Sequence, residues 1–133
     1  MFDNRDLVLY LPYPPSINDY YGHNKNTVYV KKNGKDYREL VESVIRSQYD
    51  GEVMSVPLRV GIDVIPPVRK RRRDLDNLLK ALLDAITESK RVWEDDSLIL
   101  ELNMKWIENG DEKNKNGSIK MYINQRIIRN ISD

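Results

Sequence analysis

Leu75, Leu78, Leu79, Leu82 and Ile86 fall on one face of a helix, and segments of a different period flank them on both sides. Before the leucines, Leu58, Val60, Ile62 and Val64 alternate with Arg59, Gly61 and Asp63. After them, Leu98, Leu100, Leu102, Met104 and Trp106 alternate with Glu101, Asn103 and Lys105. Alternation of period two puts one face of a strand in a core. The chain therefore reads strand, helix from near Asp74 to about Ser89, then a long strand. A protein built this way must layer helices on a sheet.

The remaining elements are shorter. Leu7-Val8-Leu9-Tyr10-Leu11 reads as a strand stopped by Pro12, and Pro14-Pro15-Ser16-Ile17-Asn18 as an irregular segment. Thr27-Val28-Tyr29-Val30 followed by Asn33-Gly34 predicts a hairpin with Asn-Gly at its turn. Leu40, Val41, Val44 and Ile45 predict the buried face of a helix from Asp36 to about Tyr49, ended by Gly51. Pro66-Pro67 closes the central strand, and residues 109–117 read as a polar loop. Ser118 to Ile123 is a last strand, and the tail to Asp133 carries no clear pattern. The fold class is α+β (mixed α/β): a single domain, 1–133, with a mixed sheet of about four strands against two main helices. A chain of 133 residues suits one such core.

Hydrophobic residues make up 40% and charged residues 32%, a balance that predicts a folded, soluble chain rather than a disordered one. Cysteine is absent and His23 is the single histidine, so thiol chemistry and thiolate zinc sites are excluded. A divalent metal would have to be held by oxygen or by His23, which favours Mg²⁺ over zinc, with Mn²⁺ able to substitute. The N-terminus has no basic start followed by an apolar run, and no stretch has the apolar length of a membrane span. A cytoplasmic protein without membrane association is expected.

The net charge of +1 conceals a dipolar layout. Residues 69–80 hold six cations and two carboxylates, a balance of +4, and residues 84–96 hold five acids and two cations, a balance of −3. Arg69, Lys70, Arg71, Arg72 and Arg73 run directly into Asp74-Leu75-Asp76-Asn77. Cations gathered near the positive end of a helix call for an anionic partner, and a phosphate backbone is one. The plainer reading is a solvated loop, or arginines paired with the chain's own acids. Asp74 stands at a helix N-cap and Asp76 in its first turn, both places where aspartate is favoured for purely structural reasons. Against that reading stand Asp76, Lys80 and Asp84 on one polar stripe, the acidic Glu94-Asp95-Asp96 before a strand, and the adjacent arginines. Carboxylates crowded together stay ionised only with a cation among them. The residues alone thus point to Mg²⁺-assisted nuclease or phosphotransfer chemistry. Tyr13, Tyr20, Tyr21 and Tyr29 either cover the core or stack on unpaired bases. Trp93 and Trp106 read as core or interface anchors.

Arg71-Arg72-Arg73-Asp74-Leu75-Asp76-Asn77-Leu78-Leu79-Lys80, followed by Trp93-Glu94-Asp95-Asp96, resembles the RusA family of Holliday-junction resolvases. Leu11-Pro12-Tyr13-Pro14-Pro15-Ser16-Ile17-Asn18 resembles that family's opening motif, and the likeness runs over roughly residues 7 to 125. The resemblance implies an Mg²⁺-dependent endonuclease, common in phages and prophages, acting as a homodimer on four-way DNA junctions in recombination and repair. It implies Asp74, Asp76 and Asp96 as catalytic, metal-holding aspartates and Lys80 as a catalytic lysine. Asp95 matches the first residue of the family's acidic pair. Arg73 and Asn18 match positions linked to DNA binding or activity in that family; the rest of the Arg69–Arg73 run is assigned to DNA by its charge alone. Pro66-Pro67-Val68 departs from the family pattern. So does Lys90-Arg91-Val92-Trp93, where the family's turn contains glycine. The alternatives are a non-catalytic protein that binds branched DNA and a small Mg²⁺ enzyme acting on nucleotides or other phosphate esters.

Overall fold

A computed structural model describes residues 7–68, 74–108 and 115–126. Among these residues, six strands and three α-helices follow in the order β1 (Leu7–Pro12), α1 (Ile17–Tyr20), β2 (Tyr21–Asn24), β3 (Thr27–Val30), α2 (Lys32–Gln48), β4 (Leu58–Ile65), α3 (Leu75–Ser89), β5 (Ile99–Trp106) and β6 (Ser118–Gln125). A four-stranded mixed sheet has the order β1-β6-β4-β5. Its β4–β5 pair is parallel, and its other pairs are antiparallel. Parallel neighbours need a crossover, and α3 supplies it. The expected α+β architecture is what forms.

Alternation does what it should in β4. Leu58, Val60, Ile62 and Val64 are all buried, and they meet Leu9, Leu11, Ile119, Met121 and Ile123 of the neighbouring strands in one core. From the helical side come Leu78, Ala81, Leu82, Ala85 and Ile86 of α3 with Tyr37, Val41 and Ile45 of α2. The two alanines let α3 approach closely, and counting leucines alone overlooks them. β5 lies at the sheet edge, and there alternation does not bring burial: Leu100 and Leu102 are 56% and 42% exposed. Leu98 is not in this strand; it ends a 3₁₀ turn, Asp96–Leu98. At the other edge, the Gln48 amide accepts from Tyr10 N–H and donates to Tyr10 C=O, both at 2.8 Å. A side chain thus occupies backbone groups that an edge strand would leave open.

Three local expectations are corrected. Asn33-Gly34 is not a turn: both residues lie in the first turns of α2, which starts at Lys32 rather than Asp36. Thr27–Val30 pairs instead with the preceding Tyr21–Asn24, and the two-residue connection turns at Lys25 with φ +50°. The physical reason is packing. A Cβ on Gly34 would stand 2.6 Å from the Tyr20 carbonyl oxygen and 2.7 Å from Val30 Cγ1, so only glycine lets α2 lie against α1 and β3. Second, Ile17–Tyr20 within the proline-rich segment forms one helical turn, because Ser16 Oγ accepts from Asp19 N–H at 3.1 Å. Third, Leu40 faces outward at 50% exposure and Val44 is half-buried, while Tyr37 takes the inner position and donates its hydroxyl to Pro12 C=O at 2.7 Å.

The Gly34 contact yields a test. Helix propensity alone says that Gly34→Ala stabilises by about 1 kcal/mol. Backbone oxygen cannot step aside, so the expected result is a loss of about 1–3 kcal/mol, read as a lower thermal midpoint. A raised midpoint would show that the close packing of α2 on α1 is wrong.

Candidate active site

The stop-and-start at Asp74 shapes the site. Asp74 is the N-cap of α3 by backbone geometry, φ −63° and ψ 142°, yet its side chain makes no capping hydrogen bond. The capping hydrogen bond that would explain an aspartate here is therefore unmade, which leaves the helix dipole as its structural reason, and the carboxylate is exposed. Asp76, in the first turn, accepts from Asn77 N–H through Oδ1 at 2.9 Å. Asn77 has a role that sequence reading missed. Its Oδ1 accepts from Ile17 N–H at 3.2 Å, joining the proline-rich segment to the start of α3. That contact sets Asn18 beside the α3 N-terminus, exposed, with its carbonyl accepting from Lys31 Nζ at 2.8 Å. The basic run Arg69, Lys70, Arg71, Arg72 and Arg73 falls outside the described residues.

Lys80 lies one turn further along α3. Its ammonium stands 4.9 Å from the centroid of the Tyr21 ring. One more turn along, Asp84 is held tightly. Arg38 of α2 donates to Asp84 Oδ2 from Nε at 3.0 Å and from Nη2 at 2.7 Å, and the Tyr20 hydroxyl donates to the same oxygen. Arg38 Nε also donates to the Tyr20 hydroxyl at 2.8 Å. Arg38 drew no notice in the sequence. The available signal was an arginine one turn from Gly34 and Val41, inside the buried stripe of α2.

The acidic segment reaches α3 through a left-handed Lys90, φ 55°, whose N–H donates to Thr87 C=O. A lysine thus takes the conformation glycine adopts at least cost. Val92 and Trp93 then turn fully inward, and Trp93 Nε1 donates to Thr87 Oγ1 at 2.7 Å. Asp95 caps the 3₁₀ turn, accepting from Ser97 N–H at 3.2 Å, which gives this residue a structural role. Partial burial first, then the Asp95 hydrogen bond and the charges of Asp95 and Asp84, hold the Asp96 carboxyl above the usual carboxylate range. Asp76 and Asp84, eight residues apart on α3, are separated by about 12 Å of helix rise. Among the described residues, no three acids or histidines converge closely enough to grip an ion on their own. Asp76, Lys80 and Asp84 follow one another at helical spacing along one face of α3. The donor chemistry nevertheless suits Mg²⁺: every candidate ligand is a hard carboxylate oxygen, and Asp74 is not spent on a cap.

A sequence profile described as Endodeoxyribonuclease RusA matches residues 12–124. The chain belongs to the RusA family. Crossover junction endodeoxyribonuclease RusA of Escherichia coli (strain K12) is 40% identical over 91 residues, covering 68% of this chain and 74% of that protein. Proteins of the same name from Shigella sonnei (strain Ss046) and Enterobacteria phage 82 are each 38% identical over the same share. The RusA match spans both halves of the site, from the proline-rich opening to the acidic pair and on to β6. No helix among the described residues is long and apolar enough to cross a membrane.

Proposed function

We propose that this chain is an Mg²⁺-dependent endonuclease that resolves four-way DNA junctions by paired phosphodiester cuts, working in the cytoplasm and drawn from a phage or prophage. The observation that carries the reading is Asp74: a carboxylate at a helix N-cap that does no capping, inside a chain whose residues 12–124 match a nuclease family. The phage relative supports the phage or prophage source.

Asp74, Asp76 and Asp96 are the residues that would hold the ion. When bound, Mg²⁺ polarises the phosphate and lowers the pKa of a coordinated water. The chain's own groups do the rest. Lys80 presents a fixed positive charge where negative charge builds on the non-bridging oxygens. Arg69, Lys70, Arg71, Arg72 and Arg73 grip the backbone, and Asn18 contacts DNA from the segment that Asn77 ties to α3. The excess of acid around Asp96 disfavours bound DNA unless a cation offsets it, so DNA and metal should assist one another. Paired cuts need two like sites, and a twofold homodimer provides them. The exposed Leu100 and Leu102 on the edge strand β5 are the apolar surface on which a second copy would close.

The test is a synthetic four-way junction incubated with the protein, with and without Mg²⁺. Symmetrically paired nicks in Mg²⁺ and intact junction in chelator are expected. Tight binding without nicks in either condition would make this a junction-binding protein without catalysis. Turnover of small phosphate esters with little junction affinity would make it a different enzyme.

A further inference from the structure

We propose that Tyr21 is a positioning residue for Lys80: its ring, locked in place by Tyr20 and the Asp84–Arg38 pair, holds the ammonium where the scissile phosphate will meet it. The inference deepens the reading above and rests on the role given there to Lys80.

A lysine on a solvent-facing stripe ordinarily samples many rotamers, because its four-carbon stem has nothing to fix it. Such a charge must be gathered into place at every turnover. A group already in position costs no reorganisation when charge develops. Lys80 is exposed, yet its ammonium stands 4.9 Å from the Tyr21 centroid, inside the range where a ring's negative face attracts a cation.

Tyr21 is itself held. Its ring lies against that of Tyr20, centroids 4.5 Å apart at 47°. Tyr20 is fully buried, and its hydroxyl joins Asp84 and Arg38. The Arg38 guanidinium also lies 5.7 Å from the Tyr20 centroid. Tyr21 N–H donates to Ile17 C=O as the cap of α1, so the backbone is fixed as well. Burial first, and Asp84 second, push the Tyr21 hydroxyl up to about 12, so the residue stays neutral at any working pH. A continuous set of contacts therefore runs from α2 through Asp84 and the two tyrosines to one ammonium. It places that charge one turn from Asp76. Neither tyrosine takes part in bond making, and a residue chosen only to fill the core would not need its ring face under a lysine.

Single-turnover cleavage of a four-way junction at saturating protein separates the possibilities, with junction Kd measured in parallel. Tyr21→Leu should slow cleavage roughly three- to tenfold, the scale of one cation–ring contact, with Kd unchanged. Tyr21→Phe keeps the ring and should cut at the wild-type rate. In a Lys80→Met background, which is itself expected to be severely slowed, Tyr21→Leu should cost nothing more. A folded Tyr21→Leu protein at full rate would overturn the inference, as would an equal loss in the Lys80→Met background. Lys80→Met cutting at the wild-type rate would instead overturn the role of Lys80. Should Tyr21→Leu fail to fold, the wild-type protein still decides. The Lys80 Cε protons should resonate upfield from the ring current of Tyr21, and ordinary lysine shifts would overturn the proposal.

Discussion

Asp76→Asn is expected to slow junction cleavage on the order of a hundredfold or more in saturating Mg²⁺, the scale of losing one preorganised group where charge develops. Junction binding should hold or tighten. The two side chains have nearly the same shape, and the asparagine Oδ1 can still accept from Asn77 N–H, as Asp76 does at 2.9 Å. The fold of α3 is therefore left alone, and the change acts on charge. A neutral amide is a poor ligand for a hard dication. It also removes one of the negative charges that repel a DNA backbone. Rate and affinity should thus move in opposite directions, which a merely destabilised protein would not show. Wild-type nicking by Asp76→Asn would remove this residue from the site.

Trp93→Ala should produce the largest loss of stability, about 3–5 kcal/mol. The indole is fully buried, and its N–H donates to Thr87 Oγ1 at 2.7 Å. Its segment is also pinned on both sides by backbone bonds, Met54 N–H to Val92 C=O at 2.8 Å and Glu94 N–H to Met54 C=O at 3.0 Å. Removing the ring leaves a cavity and an unpaired hydroxyl together. Domains of this kind are held by about 5–15 kcal/mol, so much of the total is at stake. Urea unfolding should show a sharply lower midpoint at unchanged slope. Because Trp93 immediately precedes Glu94-Asp95-Asp96, cleavage should fall before the protein unfolds. An unchanged midpoint would mean that the segment is anchored by something other than the indole.

Periodicity carried the large elements. β1, β4, α3 and β6 lie close to where apolar spacing puts them, because each presents a single face to one core. Periodicity failed where burial was decided by something outside the element. Leu100 and Leu102 alternate as a core strand should, yet they sit beyond the cover of the helices at an edge. Asn33-Gly34 has the composition of a turn, but Gly34 is needed for a backbone contact with Tyr20 that no local pattern reveals. Of the site, the cap position of Asp74 and the shared stripe of Asp76, Lys80 and Asp84 were legible, since they depend only on helical spacing. The joining of Asn77 to Ile17, and of Arg38 to Asp84 and Tyr20, was not, since those partners are distant in the chain.

What the chain's residues determine by themselves is chemistry and local order: no thiolate for any divalent metal, a helix opening on two aspartates, and the element boundaries set by proline and leucine. What only the tertiary structure decided is which of those groups remain uncommitted. Asp95 is taken up by a cap and Asp84 by an arginine, while Asp74 is left unspent and Lys80 rests on a ring. The reason is physical. A charged side chain's role follows from the partners within a few ångströms, and in a folded chain those partners come from anywhere in the sequence.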